Sequence, residues 1–217
     1  DLLVKVCSYI TDPVTTTDEL IPSGETSSYR SNPERLSEFA LSRRDPQYVG
    51  RSKVMRQIER DREAGKALPE EVMKVYEALT KAGIANDPAN TDIGSTIFAN
   101  MPGDGSAREQ AASCQRVMGA SANFAKQYAT KRYRSNCINW GMTPFLVESP
   151  EVFELGDYIF VPGIREAVLE NKASFSAYAV KPDGTVTEFP VSTGALTEAE
   201  RQIIADGCLI NYYRNNQ

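Results

Sequence analysis

The sequence Gly-Asp-Gly-Ser-Ala-Arg-Glu (residues 103–109) follows an apolar run at residues 96–99 and leads into a helical pattern. Its two glycines would hinge a turn that brings Ser106 and Arg108 to the start of that helix. The first N–H groups of a helix lack intrahelical partners and the helix dipole is positive there, so an anion binds with little reorganisation. Arg108 could hold a carboxylate through two parallel hydrogen bonds and stabilise an alkoxide on Ser106. The stretch therefore predicts an anion site that contains a base.

Taken alone, the same stretch has a simpler interpretation. Ser106 would be an ordinary N-cap, Arg108 a surface charge and the glycines plain turn residues. The stretch is not a P-loop, because the Gly-Lys-Ser/Thr ending is missing, and it is not a dinucleotide fingerprint, because the third glycine is missing. The choice between the two interpretations depends on the rest of the chain.

Composition limits the class of protein. The chain has 217 residues, of which 41% are hydrophobic, so we expect one domain over residues 1–217. Its net charge of -5 argues against a nucleic-acid or anionic-membrane surface, although residues 131–134 form a basic cluster. No apolar run is long enough to cross a membrane. Because the sequence begins with Asp1 and not with methionine, we expect a domain or processed piece of a longer protein.

The metal-binding and nucleophilic residue types are sparse. The chain contains no histidine, and its four cysteines form no Cys-x-x-Cys pair. This composition argues against zinc sites, Ser-His-Asp triads and an iron–sulfur cluster held by this chain alone. We expect free cysteines in a reducing cytoplasm and no metal bound by these residues.

Strand and helix patterns alternate along the chain without an internal repeat. Apolar, β-branched runs predict strands at residues 2–10, 95–99, 120–124 and 157–161, with a hairpin between residues 175–180 and 186–191. Helical signals predict helices at residues 32–40, as a charged pair within residues 51–83, at 109–118, and after the capping box at residues 197–200. The pattern predicts an α/β fold. The charged pair is expected to be a helical insertion laid across the surface with a solvated face.

Four stretches, in this order along the chain, resemble the C-terminal swivelling domain of the aconitase superfamily. They are Thr-Thr-Asp-Glu-Leu-Ile-Pro-Ser-Gly at residues 16–24, Tyr-Arg-Ser-Asn at 29–32, the serine turn with its helix at 103–112, and the segment at 133–145 that ends in asparagine and then Gly-Met-Thr-Pro-Phe. The resemblance implies a swivelling β/β/α domain with a mixed sheet flanked by helices. It also implies the lid of an iron–sulfur hydro-lyase, which removes water from and adds it back to hydroxy di- or tricarboxylic acids.

The resemblance also implies roles for single residues. Ser106 would be the base that takes a proton from the substrate carbon, and Arg108 and Arg30 would bind substrate carboxylates. Asp18 matches an active-site aspartate. Ala107 stands where many members have a second serine, so it would offer only its backbone N–H. Two further departures are Gln110, where histidine is usual, and Thr130, near a position where arginine is common.

The 4Fe-4S cluster of such enzymes belongs, by the same resemblance, to other domains or to a large subunit. We therefore expect this chain to bind no cluster, to be inactive in isolation, and to have the cluster-bearing domains and a small polycarboxylate as partners. One alternative is the small subunit of an isopropylmalate isomerase. Another is a catalytically silent regulatory relative that binds RNA through residues 131–134, which the acidic net charge disfavours.

Overall fold

The computed structural model describes residues 1–22, 24 and 26–217. The strands are β1 (Leu2–Ile10), β2 (Thr15–Thr16), β3 (Asp92–Ala99), β4 (Pro102–Asp104), β5 (Ala120–Ala125), β6 (Thr143–Leu146), β7 (Tyr158–Val161), β8 (Phe175–Val180) and β9 (Val186–Val191). The helices are α1 (Thr17–Leu20), α2 (Pro33–Ser37), α3 (Tyr48–Glu63), α4 (Glu70–Lys81), α5 (Arg108–Val117), α6 (Lys131–Asn139), α7 (Ile164–Leu169), α8 (Glu198–Asp206) and α9 (Leu209–Asn215). Ser23, which belongs to the first stretch of the resemblance, lies outside the described residues.

Seven strands form one mixed sheet in the order β6-β5-β3-β1-β7-β8-β9. The strands from β6 to β1 are parallel, and those from β1 to β9 are antiparallel. Leu146 at the end of β6 and Ser192 just after β9 exchange two backbone hydrogen bonds of 2.7 and 3.1 Å. The two edges of the sheet therefore meet, and the sheet is curled. The predicted mixed sheet flanked by helices is confirmed.

The curled sheet separates two hydrophobic cores. Its inner face encloses aromatic rings: Phe124 stacks on Phe145 with centroids 4.8 Å apart, and Phe153 meets Phe124 edge-on at 5.7 Å. Its outer face packs against the helices. Successive residues of β1 belong alternately to the two cores, Leu3 to the outer and Val4 to the inner, because side chains of a strand alternate between its faces.

Helix α3 packs on β3 and β1, so the predicted helical pair exists but its first helix does not simply lie across the surface. Ser52 donates a hydrogen bond of 2.7 Å to the Met118 carbonyl, and its Oγ lies 2.6 Å from the Oγ of Ser95 in β3. The expected solvated face is wrong for part of the helix, since the side chains of Arg56 and Glu59 are only 16% and 18% exposed.

Two local predictions differ from the structure. The helix expected as far as Ala40 ends at Ser37, because the chain turns back and the N–H of Leu41 bonds to the carbonyl of Leu20. Helix α6 was not predicted, because its polar and basic sequence has no clear apolar stripe. None of the helices in the described part of the chain combines the length and the apolar character that crossing a bilayer requires.

A closed ring of three hydrogen bonds joins α5, β5 and α6 in the outer core. Tyr133 donates to Asn123 Oδ1 at 2.6 Å, Asn123 donates to Gln115 Oε1 at 2.9 Å, and Gln115 donates to the Tyr133 hydroxyl at 2.9 Å. All three side chains are fully buried. Burial raises the pKa of Tyr133 well above its ordinary value, so the phenol keeps the proton that it donates. The ring satisfies polar atoms that would otherwise be buried without partners.

Replacing Tyr133 with phenylalanine should lower the free energy of unfolding by about 1–3 kcal/mol, because Asn123 Oδ1 loses its donor and Gln115 loses one of its two acceptors. Urea denaturation followed by circular dichroism measures the change. Tyr213→Phe is the matched control, since Tyr213 is 59% exposed and water replaces any bond that its hydroxyl makes. Equal stability of the two variants would contradict the structural role of the ring.

Candidate active site

The turn that carries Ser106 depends on two glycines with positive φ angles. Gly103 has φ +100° and Gly105 has φ +132°, a region that disfavours residues with a side chain. A Cβ on Gly103 would lie 2.4 Å from Cγ of Tyr133, and one on Gly105 would lie 2.3 Å from Oγ1 of Thr17. Both glycines are therefore needed for close packing as well as for backbone geometry.

The segment of Asp18 lies beside this turn. Strand β2 pairs in parallel with β4, with Thr16 opposite Asp104. Thr16 also begins α1 through a capping box, in which its hydroxyl accepts from the N–H of Glu19 at 3.2 Å and the Glu19 carboxylate accepts from the N–H of Thr16 at 2.7 Å. The cap holds α1 in place, so the tertiary structure brings the first and third stretches of the resemblance together.

Thr130, at the start of α6, also holds the serine turn in place. Its Oγ1 donates to the Gly103 carbonyl at 3.2 Å and accepts from the N–H of Tyr133 at 3.1 Å, which makes it the N-cap of α6. The N–H of Ala129 also donates to the Pro102 carbonyl at 3.0 Å. The residue that departs from the superfamily pattern therefore has a structural function here, between α6 and the serine turn.

Helix α5 begins without a side-chain cap. Its N-cap residue is Ala107, which has no acceptor to offer. The next residue, Arg108, is half-buried, and its Nε is buried without a hydrogen-bond partner. Leaving a buried charged donor unpaired costs more than the about 1–3 kcal/mol of a neutral group. The uncapped helix start, the unpaired Nε–H of Arg108 and the exposed residue Ser106 thus follow one another along the chain, and unpaired donors at a helix start favour an anion.

Asp18 and Arg30 are both exposed. A carboxylate oxygen of Asp18 accepts from Arg43 Nη1 at 3.1 Å. Arg30 lies in the turn before α2, and α2 packs against α5. Helix α1 packs against α5 and β4, so the structure places the segment of Asp18 beside the segment of Ser106, Ala107 and Arg108.

The cysteines of this chain do not fit an iron–sulfur ligand set. Cys7, Cys114 and Cys137 are buried and Cys208 is half-buried. Burial raises the pKa of Cys7 and of Cys137 to about 12 and also raises that of Cys114, whereas cluster ligation needs thiolates. Within residues 1–22, 24 and 26–217, no three histidine, cysteine, aspartate or glutamate side chains are grouped so as to hold a metal ion.

The partner of the site residue Asp18 could not be predicted from the sequence. The sequence near Arg43 gives no indication that Arg43 pairs with Asp18, because the two residues are 25 positions apart and meet only in the folded chain.

Asn123 could have been recognised as a buried polar residue, since it lies within the otherwise small and apolar strand β5. A buried amide predicts a buried hydrogen-bond partner. The identity of that partner could not be read from the strand.

Gly103→Ala should destabilise the protein by more than the about 1–2 kcal/mol that a left-handed backbone alone costs, because the new methyl group overlaps the ring of Tyr133. The free energy of unfolding measures the difference. Gly184→Ala is the control: Gly184 has φ +88°, and a Cβ there would meet no atom within 4 Å. A similar loss in both variants would show that the contact with Tyr133 adds nothing.

The folded chain should react with a maleimide at no more than one thiol at neutral pH, and that thiol should be Cys208. The other three cysteines are buried, and burial keeps them in the unreactive thiol form. Intact-mass spectrometry counts the adducts, with the chain unfolded in guanidinium as the control that exposes all four. Rapid modification of Cys7 or Cys137 in the folded chain would disagree with this burial.

Comparison with known proteins gives a related sequence and a related fold. No family model matches the chain. Over 138 residues the chain is 30% identical to the methanogen homoaconitase small subunit of Methanocaldococcus jannaschii, an alignment that covers 63% of this chain and 72% of that subunit. The crystal structure of 3-isopropylmalate dehydratase (leuD) from Methanocaldococcus jannaschii is similar with a TM-score of 0.58 and 19% sequence identity, over 99% of this chain and 95% of that one. At this identity the structural match shows the fold, and the sequence match shows the family. The chain therefore belongs to the small-subunit swivel domains of the aconitase superfamily.

Proposed function

We propose that this chain is the swivel component of a hydro-lyase that dehydrates and rehydrates a hydroxy di- or tricarboxylic acid. The observation that carries the proposal is the unpartnered Nε of Arg108 at the uncapped start of α5, two residues after the exposed Ser106. Donors left unpaired in one place suit a ligand with carboxylates. The homoaconitase small subunit that is 30% identical supports the same reaction class.

The proposed reaction needs a strong base. A proton on a carbon next to a carboxylate is weakly acidic, and a serine hydroxyl is ordinarily far too weak to remove it. The start of α5 and the guanidinium of Arg108 both favour negative charge on Ser106, and closure of the lid would remove the water that competes for it. Ser106, as its alkoxide, would take the proton as the C–H bond breaks. The electron pair of that bond then forms the C=C bond while hydroxide leaves the neighbouring carbon, giving an unsaturated acid. The hydroxide and the proton on Ser106 together make up the water that is removed.

The other site residues would position the substrate. Arg108 and Arg30 would each hold a carboxylate, and the backbone N–H of Ala107 would add a donor at the helix start. Asp18 is the proposed active-site carboxylate, and its ion pair with Arg43 orients it. Binding a carboxylate to arginines on this chain would help to draw the lid closed over the substrate.

The 4Fe-4S cluster is proposed to reside on the partner, either on other domains of the same polypeptide or on a large subunit. When bound there, it would supply a Lewis acid for the leaving hydroxyl group. The small-subunit relative supports a separate large subunit as that partner. The burial of Cys7, Cys114 and Cys137, which raises the pKa of each thiol, is the reason for placing no cluster ligand here.

Ser106→Ala, in enzyme assembled with its cluster-bearing partner, should lose about 10²–10⁴-fold in kcat with little change in KM, because the base is removed and the carboxylate contacts remain. The assay follows formation of the unsaturated acid from citrate, isocitrate and 3-isopropylmalate. Ser113→Ala is the control, since the Ser113 hydroxyl donates to the Gln110 carbonyl of its own helix. Full turnover by Ser106→Ala would rule out this base, and no turnover of any hydroxy acid by the unmodified enzyme would rule out the function.

A further inference from the structure

We propose that Thr130 is a positioning residue for catalysis. Its hydroxyl group holds the Gly103 carbonyl, and through it the serine turn, in the conformation in which Ser106 meets the substrate. The inference rests on the proposed function, because it assumes that Ser106 removes a proton. It goes beyond the capping role of Thr130, since it predicts an effect on turnover that the loss of a helix cap alone would not have.

The serine turn contains two residues whose backbone has unusual freedom. Gly103 and Gly105 flank Asp104, and a glycine adopts positive and negative φ angles about equally well. Rotation of the peptide groups between them would move Ser106, the next residue. Asp104 and Ser106 are both exposed, so their own side chains do little to restrain the turn. The position of the Ser106 hydroxyl therefore depends on contacts that hold the turn from outside.

The loop between β5 and α6 supplies hydrogen bonds to the chain that leads into the serine turn. The N–H groups of residues 126 and 127 donate to the Asn100 carbonyl at 3.2 and 3.1 Å. The N–H of Ala129 donates to the Pro102 carbonyl at 3.0 Å. Thr130 continues this series with its side chain, because the next carbonyl along the chain accepts from its hydroxyl group and not from a backbone N–H.

The Thr130 hydroxyl both donates and accepts a hydrogen bond. It donates to the Gly103 carbonyl at 3.2 Å and accepts from the N–H of Tyr133 at 3.1 Å. The ring of Tyr133 in turn occupies the space beside Gly103 that a Cβ would fill. Loss of the hydroxyl would free the Gly103 carbonyl and also loosen the first turn of α6, which carries that ring. Both effects act on the same side of the serine turn.

The same change should leave Arg108 in place, because α5 is held at its other end by α3. Arg56 Nη1 donates to the Val117 carbonyl at 2.8 Å, and Ser52 Oγ donates to the Met118 carbonyl at 2.7 Å. These bonds do not involve the serine turn. A displaced turn should therefore impair removal of the proton more than binding of the carboxylate, so that kcat falls while KM changes little.

The experiment measures turnover of the hydroxy acid by the enzyme assembled with its cluster-bearing partner. Thr130→Val removes the hydroxyl and keeps a similar shape, so kcat should fall about 2- to 10-fold, the loss expected for one neutral hydrogen bond, with KM nearly unchanged. With substrate deuterated at the carbon that loses the proton, the isotope effect on kcat should rise, because proton removal becomes slower relative to the other steps. Thr130→Ser keeps the hydroxyl and should restore most of kcat.

Thr197→Val is the matched control. Thr197 is the N-cap of α8 and accepts from the N–H of Glu200 at 3.1 Å, a bond like the one that Thr130 accepts, but among the described residues it makes no bond to the serine turn. This variant should lower the thermal midpoint and leave kcat, KM and the isotope effect unchanged. Thr130→Gly keeps the test decisive if Thr130→Val does not fold. Glycine is tolerated at an N-cap, brings no charge and has no hydroxyl, so it should lower kcat in the same way.

Four results would overturn the inference. They are an unchanged kcat in the variants without the hydroxyl, a change confined to KM, a loss of kcat that Thr130→Ser does not restore, and an equal loss in Thr197→Val. In each case the unmodified enzyme still turns over its acid and the proposed function stands. Absence of turnover of any hydroxy acid by the unmodified enzyme removes the proposed function as well.

Discussion

The contact between Gly103 and the ring of Tyr133 determines the arrangement of the candidate site. The ring can lie there only because Gly103 has no side chain. The hydroxyl of Tyr133 fixes the position of the ring through its hydrogen bonds with Asn123 and Gln115. Gln115 lies on α5, the helix that begins at Arg108, and Asn123 lies on strand β5, between β6 and β3 in the sheet. The serine turn, the helix that follows it and the sheet are thus joined through one buried side chain. A change in that side chain would alter both stability and the position of Ser106.

The site itself is left electrostatically incomplete. A helix usually begins with serine, threonine, aspartate or asparagine as a cap, as α1 and α6 do here with Thr16 and Thr130. Helix α5 begins at Ala107 without a side-chain cap, as α3, α4, α7 and α9 also do, but at α5 the Nε of Arg108 is in addition buried without a partner. This unpaired donor costs stability at the helix start that the resemblance assigns to substrate binding, which is typical of a binding site that is completed by its ligand.

The net charge of the whole chain does not describe the charge at the candidate site. The chain is acidic overall, at -5, yet the proposed site contains the guanidinium of Arg108 at the start of α5. Local charge, not net charge, decides which small molecules bind, because exposed charges further apart than about 10 Å are screened by salt. An acidic protein can therefore bind a polycarboxylate when guanidinium groups lie at the binding site.

The local sequence determined the elements whose physical cause is local. The first strand, the hairpin around residues 182–184 and the capping box at Thr197 were predicted because alternation, turn residues and cap spacing act over a few residues. The ordered motifs also predicted the family, which the comparison with the homoaconitase small subunit confirms. The roles of Ser106, Asp18, Arg30, Ala107 and Arg108 stay predictions.

Only the tertiary structure decided what depends on distant parts of the chain. The end of α2 at Ser37 follows from a bond between Leu41 and Leu20, and the partial burial of α3 follows from its packing on β3. The closing of the sheet through Leu146 and Ser192, the ring around Tyr133 and the pairing of Arg43 with Asp18 each join residues that are far apart in sequence. Periodicity and propensity report which face of an element is apolar, but they carry no information about which distant residue will meet it.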